Sequence, residues 1–146
     1  MSTLLNTKAL KRHIVSLYKK AIPAMIKDGV YTPLTVIFRE NTNFDIEDQF
    51  CFTDENGYHL RYIERGQIGE DRVTHSLLQI TYWTIETGIS EAAAEFELKH
   101  RVPNQDCRRI SFAKELQYFQ SIGPEYADLA KLEIDKYLNI APFEDV

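Results

Sequence analysis

Two cysteines in 146 residues cannot build a disulfide framework, so Cys51 and Cys107 are expected to be reduced thiols in a cytosolic setting. No apolar run approaches the roughly 18 residues that a membrane span needs. The opening stretch MSTLLNTKALKR has too short an apolar run for a signal peptide. The expectation is a cytoplasmic chain with no membrane partner. The six glycines are scattered, and with neither GxGxxG nor GxxxxGKS the usual phosphate cradles are excluded. GxSxG is missing, which removes the nucleophile elbow. HExxH and CxxC are missing too, and His13, His59, His75 and His100 stand alone without ligand-like spacing. No cofactor and no metal are expected. Positive charge is in short supply, 17 Lys and Arg against 22 Asp and Glu for a net charge of −5. That balance argues against a direct nucleic-acid binder, which needs a basic surface to displace counterions.

What is present suits one soluble domain over residues 1–146, a length that buries roughly two-thirds of the unfolded surface. The charge is unevenly spread. Lys8, Lys11, Arg12, Lys19, Lys20 and Lys27 make the first segment basic. Glu40, Asp45, Glu47, Asp48, Asp54 and Glu55 make the next one acidic. An acidic patch on a small protein suits a basic partner and raises the rate of association with it. Tyr58, Tyr62 and Tyr82 near that stretch add the aromatic component of a protein-binding surface.

Periodicity predicts an α+β fold: an N-terminal helix, a small antiparallel meander of about three strands, then about four helices. Leu10, Ile14, Leu17, Tyr18, Ala21 and Met25 recur at helical spacing, with Asn6 or Thr7 as cap and Pro23 ending or kinking the helix near Ile22. Leu34–Phe38 reads as a strand. Gln49–Thr53 and Tyr58–Ile63 flank Asn56-Gly57, a type I′ hairpin signal. Gly66 and Gly69 bracket a turn, after which Thr74 caps a helix through Glu86 that is apolar on most sides. Gly88 ends it, and Ser90–His100 starts another. The stretch Asp106–Ile122 carries Phe112, Leu116, Phe119 and Ile122 as an apolar stripe, with Asp106 as cap. Gly123-Pro124 precedes a last helix whose face is Tyr126, Ala130, Ile134, Tyr137 and Leu138.

Arg108 and Arg109 occupy the first turn of the Asp106 helix, where the helix dipole disfavours cations. Either they are solvated, or a guanidinium makes a bidentate pair with a carboxylate on another element. Glu64 is the expected partner in a brace from helix to sheet, with Asp106 a second candidate. A catalytic alternative makes Glu64 a general base, with Arg65 or Arg109 holding an anionic substrate. A Cys107–His100 nucleophile pair is a further alternative to a plain helix-start cysteine.

The order of motifs resembles one of the immunity-protein families encoded beside bacterial polymorphic toxins, including contact-dependent growth-inhibition systems. The features that match are the Asn-Gly hairpin with Tyr58-His59, Glu64-Arg65-Gly66, and Leu78–Ile85 with its Tyr82-Trp83 pair. Asp106, Arg108-Arg109, Phe112 and the closing Pro142-Phe143-Glu144-Asp145 complete it, over roughly residues 45–145. The resemblance implies a small non-catalytic protein that binds the C-terminal domain of a cognate toxin, possible targets including nucleases and deaminases. It assigns no interface residue. The acidic stretch with Tyr58 is the residue-level candidate for that interface. The chain itself is expected to be a monomer or a weak homodimer, with the apolar stripe at Leu77–Ile85 as one candidate dimer surface.

Overall fold

The computed structural model describes residues 3–40 and 47–146. Their order is α1 (Thr7–Tyr18), α2 (Ile22–Lys27), β1 (Ile37–Phe38), β2 (Gln49–Asp54), β3 (Gly57–Glu64), β4 (Gln67–Thr74), α3 (Leu77–Lys99), α4 (Arg108–Ile122) and α5 (Pro124–Ile140). The fold is α+β, with five helices and one mixed sheet of order β1-β2-β3-β4 among the described residues. The chain divides into two compact units: the N-terminal segment through Ser16 with Leu34–Glu86, and Leu17–Pro33 with Thr87–Val146.

In the first unit, Asn6 caps α1, its Oδ1 accepting the Ala9 N–H at 2.8 Å. Leu10 and Ile14, one turn apart, are fully buried. The sheet departs from a simple three-stranded meander in two ways. Only Ile37 and Phe38 of the expected first strand pair, and they run parallel to β2. A fourth strand, β4, lies antiparallel to β3 where a turn and a helix start are expected.

The two hairpin turns also exchange roles. Asn56 is not in the left-handed region; Gly57 alone takes a positive φ of 132°. A β-carbon there would lie 2.9 Å from the Thr74 carbonyl oxygen, so the close pairing with β4 itself requires glycine. Arg65 (φ 53°) and Gly66 (φ 73°) instead form the pair of left-handed residues between β3 and β4, the pattern of a type I′ turn. Glu64-Arg65-Gly66 is thus hairpin chemistry.

One sheet face carries Cys51 and Leu60, paired across β2 and β3, with Arg72 next to Leu60 on β4. Cys51 Sγ lies 3.5 Å from Thr84 Oγ1 on α3, and burial pushes its thiol up to about 12, which makes it inert. The Arg72 guanidinium lies 5.1 Å over Trp83. Ile80, Tyr82 and Ile85 of the Leu77–Ile85 stripe are buried here, whereas Leu78 is 39% exposed.

Helix α3, which starts in the first unit and ends in the second, continues through Gly88 as one 23-residue helix rather than two. Ser76 precedes it, its Oγ accepting the Gln79 N–H at 3.1 Å; Thr74 ends β4 instead of capping the helix. Pro23 opens the short α2 at its first turn. Asp28 closes that helix and is gripped by α4: Lys114 Nζ and the Tyr118 hydroxyl both donate to its Oδ2, at 2.9 and 2.7 Å. Tyr118, Phe119 and Ile122 from α4 meet Tyr126, Ala130 and Ile134 from α5 in the core of the second unit.

Candidate binding surface

The opposite face of the sheet holds a polar cluster among its buried phenylalanines. Strand alternation puts Phe50, Phe52 and Asp54 of β2 on the same side as Arg61 and His59 of β3 and Asp71 of β4. Phe50 pairs with Arg61 and Arg61 with Asp71, while Phe52 pairs with His59. The His59 ring stacks on Phe52 with centroids 4.5 Å apart and planes within 4°. Its Nε2 faces Asp54 Oδ1 at 2.7 Å and its Nδ1 faces Asp71 Oδ1 at 3.0 Å. Arg61 Nη2 donates to Asp71 Oδ2 at 2.9 Å, with its guanidinium carbon 4.9 Å over Phe52.

The two carboxylates remain charged despite partial burial. Burial alone would raise Asp54, but the Asn56 amide, the His59 hydrogen bond and the charges of His59 and Arg61 outweigh it and lower its pKa. Asp71 is lowered in the same way, with Arg61 and His59 overcoming desolvation. The result is a plate of two carboxylates, partly offset by the Arg61 guanidinium on Asp71, whose histidine is almost wholly enclosed, at 3% exposure.

The residues of the acidic stretch are dispersed around this plate. Glu40 Oε1 accepts the Thr7 hydroxyl at 3.0 Å. Glu47 is exposed, and its Oε1 accepts the Arg65 N–H of the β3–β4 turn at 2.9 Å. Asp48 Oδ1 accepts the Gln49 N–H at 2.8 Å. Asp45 lies outside the described residues. Glu40, Asp54 and Glu55 share the wall of one open cleft of about 410 Å³ with Asn6 and His75. Tyr58 is not at the surface: it is 2% exposed, and its hydroxyl accepts the Leu5 N–H at 2.8 Å. It is the second residue of β3, after Gly57. His59, Arg61 and Asp71 escape a sequence reading because β4 lacks an apolar alternation, so nothing announces the strand that aligns them.

Arg108 and Arg109 have partners other than Glu64. Arg108 donates to Asp106 through Nη2 at 2.8 Å, and to the Ala141 and Pro142 carbonyls at 2.8 and 2.9 Å. Arg109 Nε donates to Asp145 at 3.0 Å, and its guanidinium lies 4.3 Å over the Phe143 ring. The Asp106 carboxylate accepts the Arg108 and Glu144 amides as well. The Arg108 hydrogen bond, followed by those two amides, holds Asp106 well below the usual carboxylate range. The arginines therefore clasp the C-terminal tail to α4, and Asp106, the second expected partner, is the one paired with Arg108. His100 is likewise engaged elsewhere, with its ring stacked on Phe96 at 4.0 Å and Nδ1 facing the Phe96 carbonyl at 2.9 Å.

Among the described residues, no three His, Cys, Asp or Glu side chains are arranged to hold a metal ion. No helix among them is long and apolar enough to cross a membrane. The family model described as Immunity protein 63 matches residues 54–136, more than half of the chain. The chain belongs to the Immunity protein 63 family. The match starts at Asp54 and takes in all of β3, β4, α3 and α4. The Asp54–His59–Asp71 network thus falls wholly inside the family region of this immunity protein, whereas Glu40, Glu47 and Asp48 precede it. No curated protein and no solved structure matches the chain.

Proposed function

We propose that this immunity protein neutralises a cognate toxin domain by direct contact, using the acidic side of its sheet to cover a basic surface of the toxin. The observation that supports this reading is the plate formed by Asp54 and Asp71. Both carboxylates are partly exposed, at 29% and 23% of the side chain, and both are locked by His59 and Arg61. A preorganised charge spends little side-chain entropy on binding. Glu40 and Glu55 extend the negative field along the adjoining cleft. A nuclease fits the complementary charge because its substrate demands a basic groove; a deaminase acting on nucleic acid fits equally.

The competing enzyme reading has less support at Arg109, whose guanidinium is committed to Asp145. The test is co-expression with the toxin encoded next to the gene. Protection and a purified complex are expected, and a failure of both would sink the proposal. Within that complex, reversing Glu40 and Glu55 to lysine tests the surface: association slows and loses salt sensitivity if the surface is right. Unchanged kinetics would move the interface elsewhere while leaving neutralisation intact.

A further inference from the structure

Helix α5 has one buried apolar face and a second stripe whose large apolar members are exposed among the described residues. Tyr126, Ala130 and Ile134 are buried against α4. Leu129, Leu132, Glu133, Lys136, Tyr137 and Ile140 recur at i, i+3, i+4, i+7, i+8 and i+11, which is a second continuous stripe. Its large members stand in solvent: Leu132 is 56% exposed, Tyr137 59% and Ile140 84%. Beside it lies an apolar cleft of about 310 Å³ lined by Arg108, Phe112, Tyr137, Ile140 and Ala141. A stripe that carries both projecting side chains and a cleft can satisfy itself.

We propose that this face pairs with the same face of a second copy of the chain. The residue order supports a two-fold partner. An antiparallel pairing centred between Ile134 and Asp135 sets Leu132 level with Tyr137 of the second copy and Leu129 level with Ile140. It also sets Glu133 level with Lys136 of the second copy. Each copy presents one charge of each sign, so the pair is complementary to itself, as an isologous contact demands. Leu132 is then placed to enter the cleft beside Tyr137 and Phe112. A basic toxin surface has no comparable claim on the stripe, since Glu133 and Lys136 cancel and are already joined at 3.1 Å.

The experiment is sedimentation of the full chain, without toxin, across about a hundredfold dilution from the high micromolar range. Reversible dimerisation is expected. Leu132→Glu should raise the dissociation constant at least about tenfold while leaving the melting temperature unchanged. Glu133→Lys and Lys136→Glu should each weaken the dimer by like-charge contact, and the double swap should restore it. A parent chain that stays monomeric throughout, a Leu132→Glu variant that dimerises like the parent, or a double swap that fails to restore pairing would each overturn the proposal. So would a monomeric parent whose Leu132→Glu variant loses toxin binding, which would give the face to the toxin.

Discussion

The Tyr18 ring occupies the space that a side chain on Gly88 would need. A β-carbon at position 88 would lie 2.8 Å from Tyr18 Cζ, inside any contact distance that real β-carbons adopt. The ring cannot retreat easily, because its hydroxyl donates to the Thr32 carbonyl and the side chain is buried. Gly88 is consequently a packing residue within α3 and not a helix stop.

Gly88→Ala therefore sets two effects against each other. Helix propensity favours alanine by about 1 kcal/mol. Overpacking a buried contact costs about 1–3 kcal/mol, and a rigid ring anchored at both ends puts this site toward the upper part of that range. Net destabilisation of about 1–2 kcal/mol is expected by urea unfolding. In a Tyr18→Ala background the same substitution should become neutral or stabilising. Equal costs in both backgrounds would show that the ring is not the obstacle.

His59 and its two carboxylates make an acid-sensitive joint. Asp54 and Asp71 have folded pKa values below their unfolded ones. Their contribution is therefore fully present above the unfolded carboxylate range, and is lost as pH falls through the lowered folded values. Unfolding at pH 6.5 and in the acid range should show the parent losing stability on acidification. Asp71→Asn should already be less stable at pH 6.5 and flatter in the acid limb. His59→Ala, which removes a ring stacked on Phe52 and leaves both carboxylates without it, should cost about 2–4 kcal/mol at pH 6.5. An Asp71→Asn pH profile parallel to the parent's would refute the joint.

The tail clasp predicts a local effect instead of a global one. Arg109→Ala removes the Asp145 partner and the cation over Phe143, yet both side chains are close to half exposed, and exposed pairs contribute little. The melting temperature should fall by no more than about 2–4 °C. Hydrogen exchange should nevertheless accelerate at the Val146 amide, which donates to the Asn104 carbonyl, and at the Asp106 amide, which donates to Asp145. Unaltered exchange at those two amides would mean the tail is held by something other than the arginines.

Much of the fold is legible from local chemistry alone. Asn6 caps α1 and Pro124 opens α5, because caps and prolines act within one turn of chain. At α4, Cys107 rather than Asp106 stands at the N-cap, and the Asp106 carboxylate accepts only the Arg108 amide of that helix. The misread elements are those decided at long range. β4, with the sequence Gln67–Thr74, is mostly exposed and has no alternating apolar face, so its strand character comes from pairing with β3. Asn56-Gly57 and Arg65-Gly66 are both plausible turn centres, and only the registers of β2, β3 and β4 separate them. The acidic stretch marks the right strand end at Asp54 but says nothing of Asp71, seventeen residues on, which the two hairpins bring to the same histidine.

Tyr58 and Glu55 separate the structural from the binding side of the β2–β3 hairpin. Tyr58→Phe deletes the acceptor of the part-buried Leu5 N–H, at a cost of about 1 kcal/mol. Glu55→Lys changes an exposed turn residue on the wall of the acidic cleft and should leave unfolding within about 0.5 kcal/mol of the parent. Toxin association should respond in the reverse order. The rim charge sets the encounter rate, so Glu55→Lys should lower the association rate constant severalfold at low salt, with the difference shrinking as salt is added. Tyr58→Phe should bind at the parent's rate at temperatures where it remains folded. A Tyr58→Phe variant that stays folded but associates slowly, beside a Glu55→Lys variant that associates normally, would reverse the assignment and return the tyrosine to the contact surface.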